Sequence, residues 1–328
     1  MVNYIIKRIV MMIPVLVGVS FLVFSLLHFA PGDPARIMLG DDAPVEAIEE
    51  MREELGLNDP FITQYVRYIK NIVTKGDFGD SFKSNRPVVE LIFERYPTTL
   101  KMASACLVMM IIMGLPIGII SAVKQYTWID NIAVTIGLVA VSMPNFWLGM
   151  VLIIIFSANL HWLPASGFYG WKYWILPAMT VGFSNAASLL RTTRSSMLEC
   201  IRQDYVVTAR AKGQKEITVI LHHVLRNALL PIFTVIGISF GIMLGGAIVT
   251  EQIFSIPGIG KLMIDSINSR DYPVVQGAVL LVAFSFSIIN LIVDILYSLI
   301  DPRIKIQGRK RLKKNGGSGS SNEKGVAA

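Results

Sequence analysis

Charge is scarce in this chain. Asp, Glu, Lys and Arg make up 16% of its 328 residues, 53% are hydrophobic, and the mean hydropathy is +0.57. Soluble domains carry charge on about a quarter of their residues, so too little is present to cover a water-facing surface, and the chain reads as a polytopic membrane protein. Cysteine is nearly missing as well: Cys106 lies within an apolar run and Cys200 beside a polar loop, which excludes a disulfide framework or a metal knuckle. The four histidines, His28, His161, His222 and His223, are not spaced as metal ligands, and neighbours on a helix point in different directions. No Gly-x-x-x-x-Gly-Lys-Ser/Thr loop is present, so no cofactor site and no ATP hydrolysis by this chain is expected. Nor does any nucleophile–base pattern stand out. The net charge of +7 would suit nucleic acid if Lys and Arg were clustered on a soluble module. Here they flank apolar runs and fill the tail, and orientation in a membrane accounts for them better.

What is present is a polar stretch between two apolar blocks, DYVVTARAKGQKEITVILHHVLRNALLP from Asp204 to Pro231. Asp204 opens a short helix and Gly213 closes it, with Arg210 and Lys212 near its end, the charge order that the helix dipole favours. Thr208, Ala209 and Ala211 keep its sides slender. Ile217, Leu221, Val224, Leu225 and Ala228 then recur at helical spacing against Lys215, His222, His223 and Arg226, so the unit reads as helix, glycine corner, helix. By composition it is either a solvated loop that fixes topology or a handle gripped by another protein.

Around it the chain divides by composition. Residues 1–30 hold a cytoplasmic start, Lys7 and Arg8, and a first apolar run, Ile9 to Ala30, longer than the roughly 20 residues that cross a bilayer. A signal peptide would have a shorter core and a small-residue cleavage site. Residues 31–97 turn polar and acidic and read as an external insertion. It has a helix through Val45–Leu55, and Phe61, Tyr65 and Tyr68 mark a second helix packed on something. Further spans are expected over Thr99–Val123, interrupted by Gly114, Pro116 and Gly118; over Asn131–Ser157; over Trp174–Leu190; over Ala228–Val249; and over Val274–Ile300. The third carries Ser142, Met143, Pro144 and Asn145 at its centre, which frees backbone polar groups for packing or for a wet pathway. Gly237, Gly241, Gly245 and Gly246 in the fifth suit close helix contact. In the sixth, Asn290 and Asp294 share a face, and Asp294 needs either an interface position or a partner within the bundle. Arg191, Arg194 and Arg202 mark the 191–228 loop as cytoplasmic. Residues 301–328 read as a basic cytoplasmic tail ending in a flexible NGGSGSS linker. The expected fold is therefore all-α, with six transmembrane helices, both termini inside, and an extracytoplasmic insertion after the first helix.

These motifs carry a resemblance. PGDP, ELGLNDPFITQYVRY, GDFGDSF, SMPNFWLG, WLPASG, EQIFSIPGIG, RDYPVVQG and NLIVDILYSLIDPR occur in an order and spacing similar to those of ABC importer permeases of the dipeptide, oligopeptide and nickel branch. The polar stretch resembles their coupling loop through Asp204, Tyr205, Thr208, Ala209, Arg210, Ala211, Lys212 and Gly213 and through Leu225–Leu229 with Pro231. The generic Glu-Ala-Ala triplet is replaced by Val207-Thr208-Ala209, as is usual in this branch.

The resemblance implies the membrane subunit of an importer of type I fold in a bacterial or archaeal inner membrane. It implies four partners besides the lipid: a second related permease, two ATPase subunits that use ATP and Mg, and an extracytoplasmic peptide-binding protein. The short helix would seat in an ATPase groove, with Ala209 and Ala211 leaving depth and Arg210 and Lys212 meeting acidic groups. Ser142, Asn145 and Asn290 are the pathway candidates. Short peptides are the expected cargo, with nickel complexes or other small solutes as the alternative. A self-contained secondary transporter is the reading from another class; it would need midplane ionisable or unwound elements and inverted repeats, neither of which the sequence displays.

Overall fold

Long apolar runs in a chain this poor in charge can satisfy their backbone groups in lipid only as helices, and helices are what forms. The structure, a computed structural model, describes residues 2–30, 32–40, 42–246 and 248–300. The tail over 301–328 lies outside the described residues, as do the surroundings of Gly246. In order come α1 (Val2–His28), α2 (Pro34–Leu39), α3 (Val45–Leu55), α4 (Phe61–Lys75), α5 (Val88–Val123), α6 (Trp128–Ser142), α7 (Asn145–Leu152), α8 (Lys172–Ile201), α9 (Asp204–Ala211), α10 (Glu216–Thr218), α11 (Leu225–Gly246), α12 (Ile248–Ile253), α13 (Ile259–Asn268) and α14 (Tyr272–Ile300). Wider π-helical turns extend α7 through Ile153–Asn159 and join α10 to α11 through Val219–Val224. One isolated antiparallel bridge, Asp80 with Pro87, is the only β pairing among the described residues.

Four helices among the described residues are long and apolar enough to cross a membrane: Ile5–His28, Val88–Val123, Glu216–Gly245 and Tyr272–Leu296. The expected third span is not one straight helix. Trp128–Ser142 and Asn145–Asn159 meet at a bend of 104°, because Pro144 supplies no N–H and biases Met143 toward the extended conformation it adopts, φ −85° and ψ 124°. Taking the bent pair as one span brings the count to five. The expected fourth, within α8, falls outside that count. Its second half carries Arg191, Arg194 and Glu199, and all of its first half but Lys172 is buried or half-buried against other helices, so it presents little apolar surface toward lipid. The helix expected from Thr99 begins at Val88 instead and runs unbroken through Pro97 and Pro116.

α8 is the axis of the bundle, with α5 lying along it. Gly114 and Gly118 are crossing points rather than interruptions: a Cβ on Gly114 would stand 2.7 Å from Ala186 O, and one on Gly118 2.7 Å from Thr193 Cβ. Met102, Cys106, Met110, Leu176, Leu189 and Met197 fill the seam. The insertion is tied down by aromatics. The Phe24 ring of α1 lies 5.5 Å, centre to centre, from each of Phe61, Tyr65 and Tyr68 of α4, tilted to two of them and edge-on to Tyr65, which is the surface that their spacing called for. Asp294 has its partner in the bundle, with Oδ2 2.8 Å from Arg8 Nη1 on α1.

The glycine row of α11 meets α14. A Cβ at Gly237 would fall 2.0 Å from Val293 Cγ2, one at Gly241 2.8 Å from Phe286 and one at Gly245 3.3 Å from Val282. Gly237→Leu is therefore expected to lower the thermal unfolding midpoint of the detergent-solubilised protein, by the roughly 1–3 kcal/mol typical of overpacking. Val293→Ala in the same chain should recover part of the loss.

Candidate functional site

α9 stands at one end of the bundle, just beyond α8. Gln203 is extended ahead of it, Asp204 lies in its first turn and Arg210 in its last, so its charges oppose the helix dipole favourably. The Lys212 N–H donates to Thr208 O at 3.1 Å and the Gly213 N–H to Arg210 O at 2.9 Å. Gly213 has φ +74° with open space around it, the left-handed helix stop that glycine adopts without strain.

Its two faces differ. Val206 and Ala209, three residues apart, are buried in the core cluster with Val219, Ile220 and Val224 and seat the helix on the bundle. Tyr205, Thr208, Ala211, Lys212 and Val207, the last 60% exposed, face outward beside Ile217, 68% exposed. Ala209, expected to leave room for a partner, thus faces the chain's own core, and Ala211 alone of the two is on the outer side. Arg210, expected to reach acidic groups elsewhere, is clasped by Glu216 across the glycine corner, Nη2 to Oε1 at 2.7 Å and Nε to Oε2 at 3.1 Å. That pairing raises the guanidinium pKa further. Lys212 forms no ion pair among the described residues. His223 and Gln214, 2.7 Å apart at Nε2 and Oε1, close the corner from the other side.

The platform beneath α9 is braced by a buried acid. Asp130, at the start of α6, receives Arg194 of α8 in both oxygens, each at 2.8 Å, together with the Ser121 hydroxyl of α5 and the Tyr126 N–H. Three helices are joined there. Two-oxygen guanidinium pairing gives direction as well as strength.

The pathway candidates are not brought into one constellation. The Ser142 hydroxyl donates back to Leu138 O at 2.9 Å and is exposed. Asn145 is half-buried at the start of α7, on the bend, and Asn290 is half-buried on α14. No hydrogen bond joins the three among the described residues.

Some residues escaped the sequence reading. Asp130 and Arg194 are far apart in the chain; an acid opening one apolar helix and an Arg closing another were the available signal. Glu251 falls between the expected fifth and sixth spans, yet it is fully buried. Its Oε1 accepts from Thr99 Oγ1 at 2.7 Å and its Oε2 from the Lys261 N–H at 3.0 Å.

Residues 114–306 match the family described as binding-protein-dependent transport system inner membrane component, and residues 1–103 match its N-terminal companion. Over 305 residues, 93% of this chain and 99% of the relative, the sequence is 46% identical to the glutathione transport system permease protein GsiC of Escherichia coli (strain K12) and, equally, to GsiC of Shigella dysenteriae serotype 1 (strain Sd197). The fold is similar to that of a chain in the inward-facing MetNI methionine ABC transporter, with a TM-score of 0.56 and 18% identity over 65% of this chain and 97% of that one.

Proposed function

The chain belongs to the family of binding-protein-dependent transport system inner membrane components, and from that premise we propose that it forms half of the pathway by which an ATP-driven importer takes up short peptides, glutathione-like tripeptides among them. The observation that carries this reading is the 46% identity, spanning almost the whole of both chains, with a permease named for glutathione transport. The family is a multi-pass membrane component and not itself catalytic, and membership sets aside a self-contained secondary transporter.

In the proposed assembly a second related permease completes the pathway, two ATPase subunits use ATP and Mg, and an extracytoplasmic peptide-binding protein delivers substrate. α9 and both termini lie on the cytoplasmic side, and α2–α4 lie outside. The outer face of α9, with Tyr205, Val207, Thr208, Ala211 and Lys212, enters an ATPase groove, and Ile217 widens the apolar contact. A patch of large apolar side chains at the edge of a polar loop is what a protein partner covers. Arg210 acts from within, holding Glu216 and so the angle between α9 and α10. Closure of the ATPases then rocks the helices that Asp130 and Arg194 join.

The test is co-purification of the tagged chain from its native membrane, with an ATPase assay before and after adding glutathione or unrelated tripeptides. The expected result is a second permease, two ATPases and hydrolysis stimulated by binding protein loaded with tripeptide. Stimulation by a nickel complex and not by peptides would overturn the substrate while leaving the family intact.

A further inference from the structure

A cleft of about 720 Å³ opens where the end of α1 meets the start of α14 beneath the insertion. Its level follows from its walls. Phe24, Leu27 and His28 are the last residues of one membrane-crossing helix, and Tyr272, Pro273 and Gln276 are the first of another, so the cleft sits at the edge of the apolar layer. Leu26 near the end of α1 and Phe29 just after it are 64% and 77% exposed, as side chains facing hydrocarbon would be.

The charge in the cleft is one-sided. Arg36 and Arg52 line it, and Arg270 reaches its rim at Gly32, where an added Cβ would lie 3.3 Å from Arg270 Nη1. The single carboxylate among the described lining residues, Asp33, is already engaged. Its Oδ1 accepts the Ala35 N–H at 3.2 Å, and its Oδ2 accepts Arg52 Nε and Nη2 at 3.1 and 2.9 Å. Arg36 approaches the same carboxylate at no closer than 3.9 Å, and Arg270 has no ion pair among the described residues. The cleft therefore presents guanidinium donors and has no spare carboxylate for an ammonium group. A zwitterionic peptide or a choline headgroup would leave its cation unpaired; a headgroup carrying only negative charge would not.

From this juxtaposition we propose that the cleft binds the phosphate of an anionic phospholipid, with Arg36 and Arg270 on the headgroup and the acyl chains running along Phe24 and Leu27. Arginine suits phosphate because its planar fork donates two parallel hydrogen bonds. Such a lipid would fasten the insertion to the membrane surface at the point where α1 and α14 part. The proposal is independent of the transported substrate.

Native mass spectrometry of the full complex, stripped of lipid in mild detergent and titrated with dioleoyl phosphatidylglycerol or dioleoyl phosphatidylcholine, tests it. Phosphatidylglycerol should be retained and phosphatidylcholine lost. Arg36→Gln with Arg270→Gln should weaken phosphatidylglycerol binding about thirtyfold, the product of two basic contacts at a membrane surface. The paired Lys variants should keep most of it, and Arg86→Gln, away from the cleft, should change nothing. Should the double Gln variant fail to assemble, Leu27→Trp, which fills the apolar floor, must lower lipid retention in its place. Undiminished phosphatidylglycerol in the variant that assembles would overturn the site. Displacement of the lipid by inorganic phosphate alone, or by glutathione, would assign the cleft to a free anion or to substrate and overturn the lipid.

Discussion

Glu251→Leu is expected to abolish recovery of folded protein from the membrane, the largest loss from any single substitution in this chain. Glu251 is 0% exposed, yet both its oxygens are occupied: Thr99 Oγ1 donates to one, the Lys261 N–H to the other, and Thr99 in turn accepts the Ile259 N–H at 2.8 Å. Ile259 and Lys261 open α13, and the first N–H groups of a helix have no partner within it. The carboxylate and the threonine together supply those partners. Burial pushes the Glu251 carboxyl above its ordinary value, and the hydrogen bonds from Thr99, Lys261 and Gly260 pull it part of the way back.

Leucine would strand buried donors at roughly 1–3 kcal/mol each, against a net stability of about 5–15 kcal/mol. Glu251→Gln should lose less, because its oxygen still accepts one donor while its amide faces the other. Gly258→Ala should resemble the leucine variant, since a Cβ there would lie 2.2 Å from Glu251 Oε1. Membrane-inserted yield and size-exclusion profile after heating are the readouts. Equal yields for wild type and Glu251→Leu would show that α13 needs no such cap.

The second large effect is on function rather than folding. Gly213→Pro is expected to leave insertion and yield near wild type but to remove tripeptide-stimulated ATP hydrolysis in the assembled complex. Proline holds φ near −65°, and the corner after α9 has φ +74°. The turn must therefore open, which separates Arg210 from Glu216 and tilts the outer face of α9. A Cβ added at Gly213 would meet nothing within 4 Å, so the core beneath has no reason to unfold. Ala209→Trp acts differently. Ala209 is buried, so the bulkier side chain lifts α9 off Val219 and Val224, and yield should fall along with stimulation. Normal stimulation in Gly213→Pro would remove α9 from the proposed coupling role.

Much of this was legible in the residues themselves. The limits of α9 followed from an acid, two bases and a glycine, because those signals are local. The aromatic spacing of Phe61, Tyr65 and Tyr68 announced a packed face, and the glycine row of α11 announced a close neighbour. Illegible were matters settled by distant partners. Ala209 was assigned to the outside because small residues suit both a crowded core and a snug interface, and only the seat formed by Val219–Val224 decides between them. Arg210 was assigned to a partner because Glu216 lies across a corner whose closure no spacing rule describes. The 104° bend was hidden by hydropathy, which continues unbroken across Pro144, and the start of α5 at Val88 was hidden by Pro97, a residue that helices in lipid tolerate because neighbours satisfy the freed groups.

α8 has a mechanical consequence. Its 30 residues form one helix, about 45 Å long at 1.5 Å per residue. It is a stiff lever whose short end abuts α9 and whose fulcrum is the Arg194–Asp130 clasp. About that fulcrum the long arm, Lys172 to Arg194, measures roughly 33 Å, so a rotation of about 5° displaces its tip by roughly 3 Å, and the helix runs unbroken through Pro177. The elbow between α6 and α7 is the opposite element, compliant where α8 is rigid. In the proposed coupling, strain entering the bundle from the α9 end passes along the rod and is taken up at the elbow.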